Sequence, residues 1–225
     1  MAGAVRTPRA AALAGIAFSV LFTVALVLVR ITVPTDPGDA GHWLTDGSRR
    51  DSVLFALGLV PFAGIAFLWF VGVLRDRFGD AEDRFFATVF LGSGLLFVGM
   101  LFVASAVAAG LIAAAGDNAD KLLSSGAWEL GRQTTHELMA VYAMRMAGVF
   151  TLATCTILFR TRLAPRWLIA SGYAVAALLL LTIGLLPWIE LVFPAWVLVL
   201  SLYVLITSFT RSRTVGDATG SVRPT

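Results

Sequence analysis

Thiols are all but absent. Cys155 is the only cysteine in 225 residues, so the chain can form no internal disulfide and no thiolate-bound metal cluster. Histidine is nearly as scarce, with His42 and His136 alone. Charged residues make up 14% of the sequence, where a soluble domain carries about a quarter. With 58% hydrophobic residues and a mean hydropathy of +0.86, the composition lies outside that of water-soluble globular proteins. Motifs for common chemistries are missing too: there is no glycine loop to cradle phosphate, no nucleophile elbow and no zinc-protease helix motif. No catalytic residue, cofactor or metal ligand set is assigned, and the balance leans away from an enzyme.

What the chain does have is six long apolar stretches, roughly 10–29, 53–74, 85–115, 138–159, 167–186 and 191–209. About 20 apolar residues cross a bilayer core as a helix. The pattern therefore predicts an all-α, polytopic bundle of six transmembrane helices. Arginines cluster in alternate connections. Arg6 and Arg9 precede the first span, and Arg75, Arg77 and Arg84 separate the second from the third. Arg160, Arg162 and Arg166 separate the fourth from the fifth, while Arg211, Arg213 and Arg223 follow the last. The remaining loops hold most of the acids, including Asp36, Asp39, Asp46, Asp51, Asp117, Asp120 and Glu129. Basic residues flank spans on the cytoplasmic side, so both termini are expected there. The net charge of +3 then belongs to topology and lipid headgroups. The expected partner is the lipid bilayer, not nucleic acid.

Residues 1–210 read as a single transmembrane domain. The polar stretch 211–225, with Gly216 and Gly220, reads as a short cytoplasmic tail expected to be disordered. Arg6 and Arg9 ahead of an apolar run resemble a signal peptide, whose apolar segment is about 7–15 residues long. This run is longer and has no obvious cleavage site, so it reads as a retained first helix. Ser48 with Asp51, and Thr134 with Glu137, have the spacing of capping boxes and predict the starts of the second and fourth helices. Between Asp117 and Gln133, Leu122, Leu123, Trp128 and Leu130 among charges predict a short interfacial helix. Trp43, Trp128 and Trp188 fall at outer boundaries and Trp69 and Trp167 near inner ones, as an aromatic belt would. The link around Pro187 is short enough to predict a tight hairpin of the last two helices.

Arg145 is the principal candidate for function. It lies seven residues into the fourth span, roughly 10 Å below the outer boundary by helix rise. A charge at that depth is costly and calls for a partner inside the bundle. Helical side chains lean toward the helix N-terminus, here outward, which brings Asp51 and Glu190 into reach. Two readings stand side by side: a structural ion pair, or an intramembrane polar site for an anion, headgroup or ion-coupled gate. His42, His136 and Glu137 are weaker outer-face candidates. The histidines belong to separate loops without metal-ligand spacing, and capping already accounts for Glu137. Ser93, Ser105, Thr151, Thr154 and Thr156 suggest a polar path, or bonds within their own helices.

The stretches 145–150 (Arg-Met-Ala-Gly-Val-Phe) and 163–168 (Leu-Ala-Pro-Arg-Trp-Leu), with Gly172-Tyr173 and 193–197 (Phe-Pro-Ala-Trp-Val), carry a resemblance. Over the last third, the chain resembles an uncharacterised family of bacterial, mainly actinobacterial, six-helix integral membrane proteins. The resemblance implies a bacterial cytoplasmic membrane location and a multi-pass bundle, and brings no activity with it. Three functions remain in play. One is a non-enzymatic accessory or interaction protein, associating with itself or another membrane protein. The second is a small transporter with an outward polar cavity at Arg145. The third is a membrane enzyme acting on lipid at the outer face. The threading is testable with Cys155 replaced and single cysteines introduced. Ala40→Cys and Ser125→Cys should label from outside intact cells, and Asp80→Cys and Val215→Cys should not. External labelling at position 80 would overturn the orientation.

Overall fold

A computed structural model describes residues 7–33, 42–78, 84–116, 119–124, 126–181 and 188–220, and they are almost wholly helical. Three long rods come first: α1 (Thr7–Thr32), α2 (Gly47–Phe78) and α3 (Arg84–Ala115). The short α4 (Ala119–Ser124) precedes α5 (Ala127–His136), which runs through a π-helical stretch, Glu137–Ala143, into α6 (Met144–Thr161). Then come α7 (Arg166–Leu181) and α8 (Val192–Gly220), with 3-10 turns at His42–Thr45 and Ile189–Leu191 ahead of α2 and α8. Among the described residues, five helices are long and apolar enough to cross a membrane: Ala12–Thr32, Gly47–Asp76, Phe85–Ala115, Ala127–Thr161 and Ile189–Ser208. By hydropathy this is a multi-pass membrane protein. The apolar α7 is shorter, at 16 residues, and residues 182–187 after it lie outside the described set.

Two helix starts differ from the capping-box expectation. Asp46, not Ser48, caps α2: its Oδ1 accepts from the backbone N–H of Ser48 at 3.1 Å and of Arg49 at 3.4 Å. Asp51 stands further along the same helix. No helix begins at Thr134, whose Oγ1 donates back to the Leu130 carbonyl at 2.8 Å inside α5. Glu137 instead opens the π stretch. That wider turn has a packing cause. In an unbroken α-helix the residue seven after Thr135 would continue the inward stripe set by Trp128 and Thr135. That residue is Tyr142, yet it is 53% exposed while Ala143 is fully buried. The π stretch absorbs one residue and keeps Trp128, Ala143, Ala147 and Phe150 facing inward.

The centre of the bundle is a cluster of phenylalanines. Phe18 and Phe22 of α1, Phe67 and Phe70 of α2, Phe90 and Phe97 of α3, Phe150 of α6 and Phe193 of α8 are all fully buried. Their spacings of three, four or seven residues keep each pair on one helix face. Phe67 is the hub, with ring centroids 4.8 Å from Phe18, 5.1 Å from Phe97, 5.0 Å from Phe150 and 5.9 Å from Phe193. Tilted and edge-to-face rings of this kind add about 0.5–1.5 kcal/mol per pair beyond area burial. The helices follow one another around this centre as α8, α1, α2, α3, α6 and α7.

α7 contributes no phenylalanine and packs chiefly on α6, whereas α8 packs chiefly on α1. The α7–α8 contact is narrower than the predicted hairpin. It is built at Gly172, where an added Cβ would meet Cys155 Sγ and lie 2.8 Å from Trp196 Cζ2. At the end carrying α4 and α5, Trp43, Leu44, Val53, Leu57, Ile112, Ala115 and Trp128 form a second cluster. The interfacial helix expected there is thus packed down as a cap. Trp43 and Trp128, expected in the belt, are buried against each other with centroids 6.1 Å apart. Trp69, Trp167 and Trp188 are exposed. α8 stays helical to Gly220, where a disordered tail was expected from Arg211 onward.

Phe67→Ala should leave a cavity at the hub and forfeit the close packing that holds membrane helices together. It should lower the melting temperature in detergent far more than Phe62→Ala on the exposed face of α2. Equal losses in the two variants would remove Phe67 from its central role.

Candidate functional site

Arg145 is the second residue of α6, directly after the π stretch, and is half-buried. By helix rise it lies roughly 22 Å from Arg160 along α6, inside the candidate span Ala127–Thr161. Asp51 is exposed on α2, and Glu190 is half-buried in the turn before α8. Among the described residues the ion pairs are Arg49–Asp46 at 3.4 Å and Arg132–Glu129 at 2.7 Å. Neither Asp51 nor Glu190 is joined to Arg145 there, so the three-residue constellation read from the sequence is not assembled as an ion pair. Both observed pairs are half-exposed and local, so solvent screening leaves them little to contribute to stability.

The outer-face candidates are also dispersed. His136 is exposed at the end of α5, and Glu137 is half-buried at the start of the π stretch. His42 opens the 3-10 turn before α2, and its side chain lies outside the described set. Among the described residues, no group of three or more His, Cys, Asp or Glu side chains gathers in a way that would hold a metal ion.

The suggested polar path resolves into bonds within helices. Ser93 donates to the Val89 carbonyl at 2.6 Å, Ser105 to Leu101 at 2.7 Å, Thr151 to Ala147 at 2.8 Å and Thr154 to Phe150 at 2.7 Å. Thr156 bonds the Leu152 carbonyl and also meets the Tyr173 hydroxyl at 3.1 Å, tying α6 to α7.

No protein-family model, curated protein or solved structure matches this chain.

A concave site does exist, in a place the sequence reading passed over. It lies between the last turn of α1 and the first turns of α2. One groove of about 510 Å³ is lined by Arg30, Thr32, Ser48, Arg49 and Ser52, among others. A second of about 670 Å³ adjoins it, lined by Leu28, Ser48, Asp51, Ser52 and Phe55. The Arg30 guanidinium sits over the Trp188 ring, 5.7 Å from its centroid. The available signal was Arg30 closing a span at the end where basic residues are otherwise few, followed by Arg49 and Arg50 at the next helix start.

For Arg145, a double-mutant cycle with Glu190, using Arg145→Gln and Glu190→Gln, should give coupling below about 0.5 kcal/mol, as for residues not in contact. The same holds for Asp51→Asn. Coupling above about 1 kcal/mol in either cycle would place that acid beside Arg145.

Proposed function

We propose that this chain is a six-crossing protein of the bacterial cytoplasmic membrane, with both termini inside, that acts by lateral association with another membrane helix. Support for six crossings comes from α7 together with residues 182–187, which extend its apolar run to the length of a span. The alternating arginine clusters support the orientation. The resemblance of the last third to actinobacterial-type six-helix proteins supports the choice of membrane.

The observation that carries the association reading is a division among the glycines. Gly15, Gly64, Gly148 and Gly172 are set by the bundle itself, since an added Cβ would run into a neighbouring side chain. Gly58 and Gly72 of α2, and Gly92, Gly99 and Gly110 of α3, would meet nothing within 4 Å. An interior glycine disfavours an isolated helix by about 1 kcal/mol relative to alanine, and internal packing does not explain these five. Small residues on an outward helix face let a second backbone approach closely, which is how membrane helices associate without a hydrophobic driving force. Large apolar neighbours such as Leu96 and Val103 on α3 stand ready to pack around such a partner. The phenylalanine-filled centre weighs against a solute path, and the scattered His136, Glu137 and His42 weigh against lipid turnover.

Gly99→Leu with Gly110→Leu should leave the melting temperature nearly unchanged and abolish adducts formed by photocrosslinkers placed on α3 in native membranes. Gly172→Leu should instead lower the melting temperature. Absence of any α3 adduct in the parent protein would end the association reading. Solute flux in proteoliposomes that Arg145→Ala removes would replace it with a carrier.

A further inference from the structure

We propose that the cleft between the end of α1 and the start of α2 binds a glycerophospholipid, with Arg30 and Arg49 holding its phosphate and Leu28 and Phe55 lying along its acyl chains. This rests on the membrane reading of the chain. It depends neither on which end is cytoplasmic nor on lateral association.

The two grooves share Ser48 and Ser52 and so adjoin along the first turns of α2. The upper part of the cleft offers two guanidinium groups from different helices together with hydroxyl side chains. Its lower part is lined by Leu28, which precedes Arg30 in α1, and by Phe55, which follows Arg49 along α2 and is 62% exposed, with Ser48, Asp51 and Ser52 beside them. Cations near a helix end with Leu28 and Phe55 beside them match an amphiphile with an anionic head.

Both arginines are positioned yet still able to donate. Arg30 is held over the Trp188 ring, which leaves its in-plane N–H groups available. Arg49 engages Asp46 Oδ2 through Nε at 3.4 Å, which leaves its two terminal nitrogens. The planar fork of arginine suits phosphate oxygens, and bonds between charged partners are the stronger kind. Asp46 already occupies the first N–H groups of α2, so the guanidinium groups and not the helix end would do the holding.

The test uses delipidated full-length protein in detergent, titrated with phosphatidylglycerol and, separately, with inorganic phosphate, and read by native mass spectrometry. The parent protein should bind the lipid, and inorganic phosphate in large molar excess should not displace it. The double variant Arg30→Gln, Arg49→Gln should weaken lipid binding by roughly tenfold or more, as expected for losing charge-assisted hydrogen bonds. Phe55→Ala should weaken it as well, and Arg132→Gln, a cation outside the cleft, should not. If the double variant does not fold, Arg49→Gln and Phe55→Ala alone decide, and lipid binding unchanged in both overturns the site. Equal weakening by Arg132→Gln would reduce the effect to general charge. Displacement by inorganic phosphate at equal concentration would make the cleft a simple anion site and defeat the lipid assignment.

Discussion

The packing of Phe67 against rings from four other helices is the constraint on which the bundle depends. Lipid tails are as apolar as any side chain, so burying a phenylalanine among helices gains little from leaving lipid. What holds such a bundle is close packing, and a ring loses that packing when its socket is imperfect. Here the rings come from α1, α2, α3, α6 and α8, and each helix must arrive at the right depth and rotation for the set to close. The π stretch before α6 serves this requirement. It lets one continuous helix face Trp128 into the end cap and Phe150 into the centre.

The two ends of the molecule are built differently. At one, Trp43 and Trp128 are folded into a capping cluster fed by the turn before α2 and by α4 and α5. At the other, Arg160 lies over the Phe86 ring at 4.7 Å, and exposed Trp69 and Trp167 lie toward the same side. The first end has a packed lid with a cleft beside it, and the second presents basic and aromatic side chains to the interface. This asymmetry is physical and holds whichever compartment each end faces.

Hydropathy and arginine spacing made the helical class and the long spans legible, because membrane solvation acts on each segment almost independently. Features that depend on how segments meet were not legible. Phe18, Phe67 and Phe193 look like ordinary lipid-compatible residues until their helices are side by side. The Thr134–Glu137 spacing matched a helix start, but the apolar faces on either side favoured a continuous rod, so the local signal lost to packing. Asp46 won the cap over Ser48 because its carboxylate reaches two N–H groups at once. Arg145 falls within the candidate span Ala127–Thr161, but sequence distance could not say which acid would stand near it. The cleft at Arg30 and Arg49 joins residues about twenty positions apart, across a loop whose path no local pattern encodes.

The seating of α1 against α8 has a consequence for the order in which the protein can be made. α1 precedes every other described helix in the chain and α8 follows them all, yet they are direct neighbours and Phe193 closes the ring around Phe18, Phe67 and Phe97. A nascent chain in which α1 has inserted therefore carries an unfilled socket in the middle of this bundle until α8 enters the bilayer. Through that interval α1 has α2 on one side and lipid on the other. Closure of the core therefore waits for α8, and a chain interrupted before it would be left with a gap where its tightest packing belongs.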